Sequence, residues 1–140
     1  MEVARVEIGG GGALRAAGTQ VGVAYELRYE LEAELLRLEL VGKRRVEVPI
    51  DGLDFFDLGN SPLFNSLPAL RDGLLAAGAP RDYVMRWVSV PELEVKEARQ
   101  RYEPLGDGVV RFSSGDFVAD IRFDDDGLVG HYPGLAERLA

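Results

Sequence analysis

The chain contains no cysteine and a single histidine, His131, among its 140 residues. Without cysteine there is no disulfide framework, no thiolate metal site and no cysteine nucleophile. With one histidine a three-histidine metal site cannot form, and any Ser–His–Asp triad would have to include His131. Basic residues are scarce as well: 16 Lys and Arg stand against 24 Asp and Glu, a formal charge of -8. That balance argues against nucleic acid, whose affinity rests on Lys and Arg meeting phosphate. It argues equally against adsorption to anionic lipid surfaces, which calls for basic clusters. No apolar run approaches the roughly 18 residues that span a bilayer as a helix. The opening Met1-Glu2-Val3-Ala4-Arg5 lacks the basic start and apolar run of a secretory signal. A cytoplasmic location is therefore the expectation.

What is present points to a mainly β chain. An apolar share of 46% is ordinary for a globular protein, and the length suits one domain over 1–140. Val3 to Ile8 alternates weakly. Thr19 to Tyr29 alternates clearly, with Val21, Val23, Tyr25, Leu27 and Tyr29 on one face, and predicts one strand. Leu31 to Val41 shifts parity at Leu35-Leu36. It is open to a helix, but a strand with a β-bulge fits its neighbours better. Further strands are predicted over Arg44 to Ile50, Tyr83 to Val90, Leu93 to Tyr102, Val109 to Phe112, Phe117 to Phe123 and Leu128 to Tyr132. Asp51-Gly52, Asp107-Gly108 and Asp126-Gly127 suit tight hairpin turns, as does Ser113-Ser114-Gly115-Asp116.

Ser61 to Pro80 breaks this pattern. Pro62 and Pro68 bias their surroundings away from helix, so the segment around Asn65 is expected to be an ordered connection at the sheet's edge or mouth. Ala69 to Ala77 predicts a short helix broken by Gly73, and Leu135 to Leu139 a terminal helical turn. The fold class that follows is a curved antiparallel sheet or partial barrel with one or two short helices.

Several apparent signals do not carry chemistry. Gly9–Gly12 lacks the Gly-Lys-Ser/Thr of a phosphate loop. Asp124-Asp125-Asp126 lacks the spaced ligands of a calcium loop and reads as an acidic turn. His131 with Asp124 or Asp126 is the only acid–base set worth testing, and a lone histidine near a turn is more often structural. No catalytic residue, metal or cofactor is assigned. Phe55-Phe56 places one ring on each face of its strand, one for the core and one for a second layer or cavity.

From Gly52 to Leu135 a series of segments resembles the putative glycolipid-binding family. They are Gly52-Leu53-Asp54-Phe55-Phe56-Asp57-Leu58, Ser61-Pro62-Leu63-Phe64-Asn65-Ser66-Leu67-Pro68, Trp87-Val88-Ser89-Val90-Pro91 and Gln100-Arg101-Tyr102. Phe117-Val118-Ala119-Asp120, Asp126-Gly127-Leu128-Val129 and Tyr132-Pro133-Gly134-Leu135 complete the order. Earlier, only Gly18 to Tyr29 is similar. Ala69-Leu70-Arg71 stands where the family is commonly more basic. The resemblance implies a curved sheet similar to the half-barrels of lipoprotein carriers, and binding of a lipid-like amphiphile without chemistry. The residues taken to line such a site are Phe55, Phe64, Trp87, Tyr102 and Phe117, with Asn65, Arg71 and Gln100 toward a polar head. Asn65 is also expected to hold its own loop by bonding nearby backbone. The alternative is an interaction or assembly module. It would dimerise through an open sheet edge, with Thr19 to Tyr29 the expected edge strand.

Overall fold

The computed structural model describes all residues except 1, 9–13, 21–25, 33, 41–43, 60, 91, 134–135 and 138–140. Five strands form an antiparallel meander: β1 (Glu2–Ile8), β2 (Leu14–Gln20), β3 (Glu26–Leu31), β4 (Leu35–Leu40) and β5 (Arg44–Pro49). The chain then enters a second sheet at β6 (Phe55–Leu58) and crosses over through a 3-10 helix (Pro62–Ser66), α1 (Leu67–Asp72) and α2 (Leu74–Ala77). It returns as β7 (Arg81–Val88), parallel to β6. Strands β8 (Val95–Gly106), β9 (Val109–Ser114), β10 (Phe117–Phe123), β11 (Val129–Tyr132) and β12 (Ala136–Glu137) follow as antiparallel neighbours in chain order. The result is a curled mixed sheet forming a half-barrel with two short helices. Among the described residues no helix is long and apolar enough to cross a membrane.

Most of the expected strands are present, and the structure corrects five details. Thr19 pairs antiparallel with Glu26, so the chain reverses inside the alternating run and 19–29 is not one strand. Val21, Val23 and Tyr25 lie outside the described residues. Both β2 and β3 have neighbours on each side, so this run forms no sheet edge; β1, β5, β6 and β12 do. The parity change near Leu35 comes from a hairpin, not a bulge: Leu31 pairs with Leu36 across β3 and β4. Asp51-Gly52 is a tight turn, with φ of 52° and 78°, but it links the two sheets and closes no hairpin. Asp107-Gly108 has the same left-handed pair, at 56° and 76°, and does join paired strands β8 and β9. At the C-terminal end, Ala136–Glu137 pairs with β11 where a helical turn was expected.

The crossover is helical despite its prolines because each sits in the first turn of its element. There proline's missing N–H has no intrahelical partner to lose. Gly73 ends α1 and caps α2 at φ 60°, a left-handed conformation that costs glycine little, so the predicted break falls where expected.

Two apolar clusters meet at β6. On one side Leu31, Leu36, Leu38, Leu40 and Val48 of the first sheet pack on Phe56, Leu58, Phe64, Leu67, Val88 and Leu93. On the concave side of the second sheet Tyr83, Met85, Tyr102, Val110, Phe112, Ile121, Phe123 and Tyr132 enclose Leu74 of α2. Phe56 belongs to the first cluster, whereas the half-buried Phe55 touches both. The helices and aromatic rings thus fill one end of the concave face. A pocket remains beside them.

Candidate functional site

Alternation places every second residue of β6 to β10 on the concave face. Phe55 pairs with Met85 and Asp57 with Trp87 across the parallel β6–β7 ladder. Aromatic rings continue over the face from strand to strand. Phe55, Tyr83, Tyr102, Phe112, Phe117 and Tyr132 follow one another with centroids 5.2–6.4 Å apart. Edge-on and offset contacts of this kind are the favoured aromatic geometries. Beside this row lies a pocket of about 570 Å³ lined by residues of β6, β7, β8, β9, β10 and β11. Its apolar wall comprises Leu58, Trp87, Ala98, Phe112, Phe117, Tyr132 and Pro133. Phe117 is 51% exposed and marks the open side. A concave, mostly apolar space of this size with few polar groups is the usual form of a small-ligand site.

The polar groups are concentrated at the buried end. Asp57, Ser61, Asn65 and Gln100 line the pocket and are all buried. Asp57, Asn65 and Gln100 belong, with Tyr102, to a directed chain of hydrogen bonds. Asn65 Nδ2 donates to the Tyr102 hydroxyl at 3.0 Å, which donates to Gln100 Oε1 at 3.0 Å. The Gln100 Nε2 then donates to Asp57 Oδ2. The order is dictated by chemistry: a carboxylate only accepts, so Gln100 must turn its amide nitrogen to Asp57 and its carbonyl to Tyr102. Burial pushes the Asp57 carboxyl up to about 6, against smaller downward effects of the Gln100 and Leu58 hydrogen bonds. Burial, and then the charge of Asp57, also push Tyr102 and Tyr132 up, so both phenols stay protonated. Among the described residues lining the pocket, Asp57 is the one with a formal charge. Ser61 is 3% exposed, and its hydroxyl has no protein partner.

Of the residues expected at the site, Asn65, Trp87, Gln100 and Phe117 line the pocket. The other four do not. Tyr102 is fully buried behind it and acts through Asn65 and Gln100. Phe64 is enclosed in the first core cluster, Phe55 bridges the two clusters, and Arg71 sits on α1. Asn65 holds Tyr102, 37 residues away, which corrects the expectation of a bond to nearby backbone. His131 is exposed on β11, and Asp124 to Asp126 form the turn before it. Gly9–Gly12 lies outside the described residues. Sequence reasoning missed Asp57, Ser61, Phe112 and Tyr132. The signal for Asp57 was its place two residues from Phe55, a polar group on an inward apolar face.

The model of the family described as putative glycolipid-binding matches residues 40–138. The chain belongs to this family. The half-barrel is similar to a crystal structure of a DUF1089 family protein from Pseudomonas aeruginosa, with a TM-score of 0.77 and 23% identity. The alignment covers 99% of this chain and 91% of that one, and at this identity it speaks to the fold. No curated protein matches the chain.

Within this glycolipid-binding family member the indole of Trp87 has a tight seat. A Cβ placed at Gly59 would lie 3.2 Å from Trp87 Cζ2 and 3.4 Å from the Val88 carbonyl. Glycine therefore lets the ring lie against the turn after β6. Gly59→Val is expected to push the indole into the pocket and cost about 1 kcal/mol through overpacking. Trp87 is the single tryptophan, so its emission reports the change directly. An unshifted spectrum in a folded Gly59→Val protein would show that glycine does not set the ring's position.

Proposed function

We propose that the chain binds an amphiphile, with the polar head of a glycolipid-type molecule in the concave pocket, and performs no chemistry on it. The observation that carries this is the pocket's polarity: an aromatic wall leads from an exposed Phe117 to a buried polar end at Asp57, Ser61, Asn65 and Gln100. Family membership points the same way. A molecule with a hydroxylated head and an apolar tail matches that gradient when it enters head first, its tail lying over Phe117. The filled end of the concave face leaves the acyl chain at the mouth, unlike an enclosed lipid tunnel. Binding without catalysis is favoured because no second carboxylate, histidine or lysine accompanies Asp57 among the described lining residues. Native mass spectrometry of the protein exposed to a total lipid extract tests this. Retention of a discrete amphiphile is expected, and Phe117→Asp should reduce it by placing charge where the tail lies. Retention of nothing from such extracts, with the fold intact, would overturn the reading.

A further inference from the structure

We propose that Asp57 and Ser61 form a subsite for an uncharged, hydroxyl-rich sugar ring, selecting neutral glycosyl heads against phosphate, sulfate or carboxylate heads. This rests on the reading of the pocket as a head-group site and specifies its chemistry.

The direction of the hydrogen-bond chain is the first support. Each proton from Asn65 through Tyr102 and Gln100 points toward Asp57, so the relay ends in an acceptor. A ligand group meeting that carboxylate must donate. Sulfate, carboxylate and fully ionised phosphate oxygens cannot, and they would bring a second negative charge beside a buried first one. No Lys or Arg lines the pocket to compensate, among the described residues, and the whole chain carries -8. Ser61 is the second, independent support. Its hydroxyl is almost fully buried, lines the same pocket and has no protein partner. A buried hydroxyl left unpaired is costly, which is the mark of a group waiting for a ligand or water. The Ser61 N–H bond to the Leu58 carbonyl, at 3.0 Å, returns the chain toward β6, which carries Asp57. Neighbouring hydroxyls of a sugar can then donate to Asp57 and exchange a hydrogen bond with Ser61 at once. The C–H face of the ring can rest on Trp87, which pairs with Asp57 across β6 and β7. An ammonium head also donates, but it has no acceptor lone pair for the Ser61 proton.

Matched eight-carbon probes below their micellar range separate the alternatives: octyl β-glucoside, octyl phosphate, octylammonium and octanol. Binding is read by Trp87 emission and by calorimetry at pH 7.5. The glucoside is expected to bind about tenfold or more tighter than the phosphate, the ammonium or octanol. Asp57→Asn should remove most of that preference. Ser61→Ala should weaken the glucoside about threefold and serves as the second variant if Asp57→Asn fails to fold. A preference for octyl phosphate or octylammonium overturns the proposal and leaves amphiphile binding standing. So does a glucoside preference that survives both substitutions. If none of the four binds, octanol included, the head-group reading itself fails with it.

Discussion

Asp57→Asn is expected to stabilise the fold by about 2 to 3 kcal/mol at pH 7 while impairing the pocket. Burial raises the Asp57 carboxyl from 3.8 in the unfolded chain to about 6. A raised carboxyl pKa means the native state resists ionisation, so above about pH 6 the buried charge lowers stability. Every tenfold change in acid strength corresponds to about 1.4 kcal/mol, which gives the order of roughly 3 kcal/mol in full. The sign follows from proton binding: between pH 3.8 and about 6 the native state holds more protons than the unfolded one. Stability from this group is therefore complete below 3.8 and is lost as pH rises through about 6. Asparagine keeps an oxygen for Gln100 and carries no charge. Two carboxylates, the half-buried Asp72 and the exposed Asp120, act in the opposite sense. Hydrogen bonds from Tyr83 and Arg81 hold Asp72 below its usual range, and Arg111 does so for Asp120. Their stabilisation fades only as pH falls below the ordinary carboxylate range, and solvent screens it. Urea melts from pH 4 to 8 check the prediction. The wild-type curve should descend through pH 4–6.5 and the variant should stay flat there, with its melting temperature at pH 7 higher by on the order of 10 °C. An Asp57→Asn protein less stable than wild type at pH 7 would show that the carboxylate is not an internal cost. A residue that costs the fold its stability yet lines the pocket is what a ligand-binding role leads one to expect.

Much of the half-barrel was legible because period-two alternation and Asp-Gly turns are local. The run through Thr19 to Tyr29 misled for the same reason: alternation reports which side a residue faces, not whether the chain has reversed. At Leu31 and Leu36 the parity change was visible, yet a hairpin and a bulge produce the same shift. The parallel return of β7 beside β6 depends on how a helical crossover packs, which no window of sequence contains. Proline arguments alone pointed away from helix at Ser61 to Pro68, and their position within the first turn reversed the conclusion. The site was half legible. Trp87 and Phe117 lie on strands whose alternation fixes their face, whereas Phe64 lies in a 3-10 helix, where it does not. Asp57 was hidden by composition: among 24 acidic residues one in a short apolar strand looked ordinary, until burial singled it out.

Tyr102→Phe should be the most damaging single-atom deletion near the site. The phenol oxygen joins two buried groups, accepting from Asn65 and donating to Gln100. Removing it leaves an amide N–H and an amide carbonyl without that partner, while the ring's contacts with Tyr83 and Phe112 remain. A buried polar group left unpaired costs about 1–3 kcal/mol, so the pair together is expected to cost about 3 kcal/mol, less whatever pocket water recovers. The ring is retained, and packing loss therefore contributes little. The second consequence is functional. Gln100 loses the bond that fixes its amide orientation, and Asp57 is then met by a side chain free to turn. Amphiphile binding should weaken by about three- to tenfold even when the protein is fully folded. A double-mutant cycle with Asn65→Ala separates the two effects. Because both substitutions break the same Asn65–Tyr102 bond, their stability losses should fall short of additive by about 1 kcal/mol. Strict additivity would mean that the two side chains stabilise the fold independently and that no relay supports Asp57.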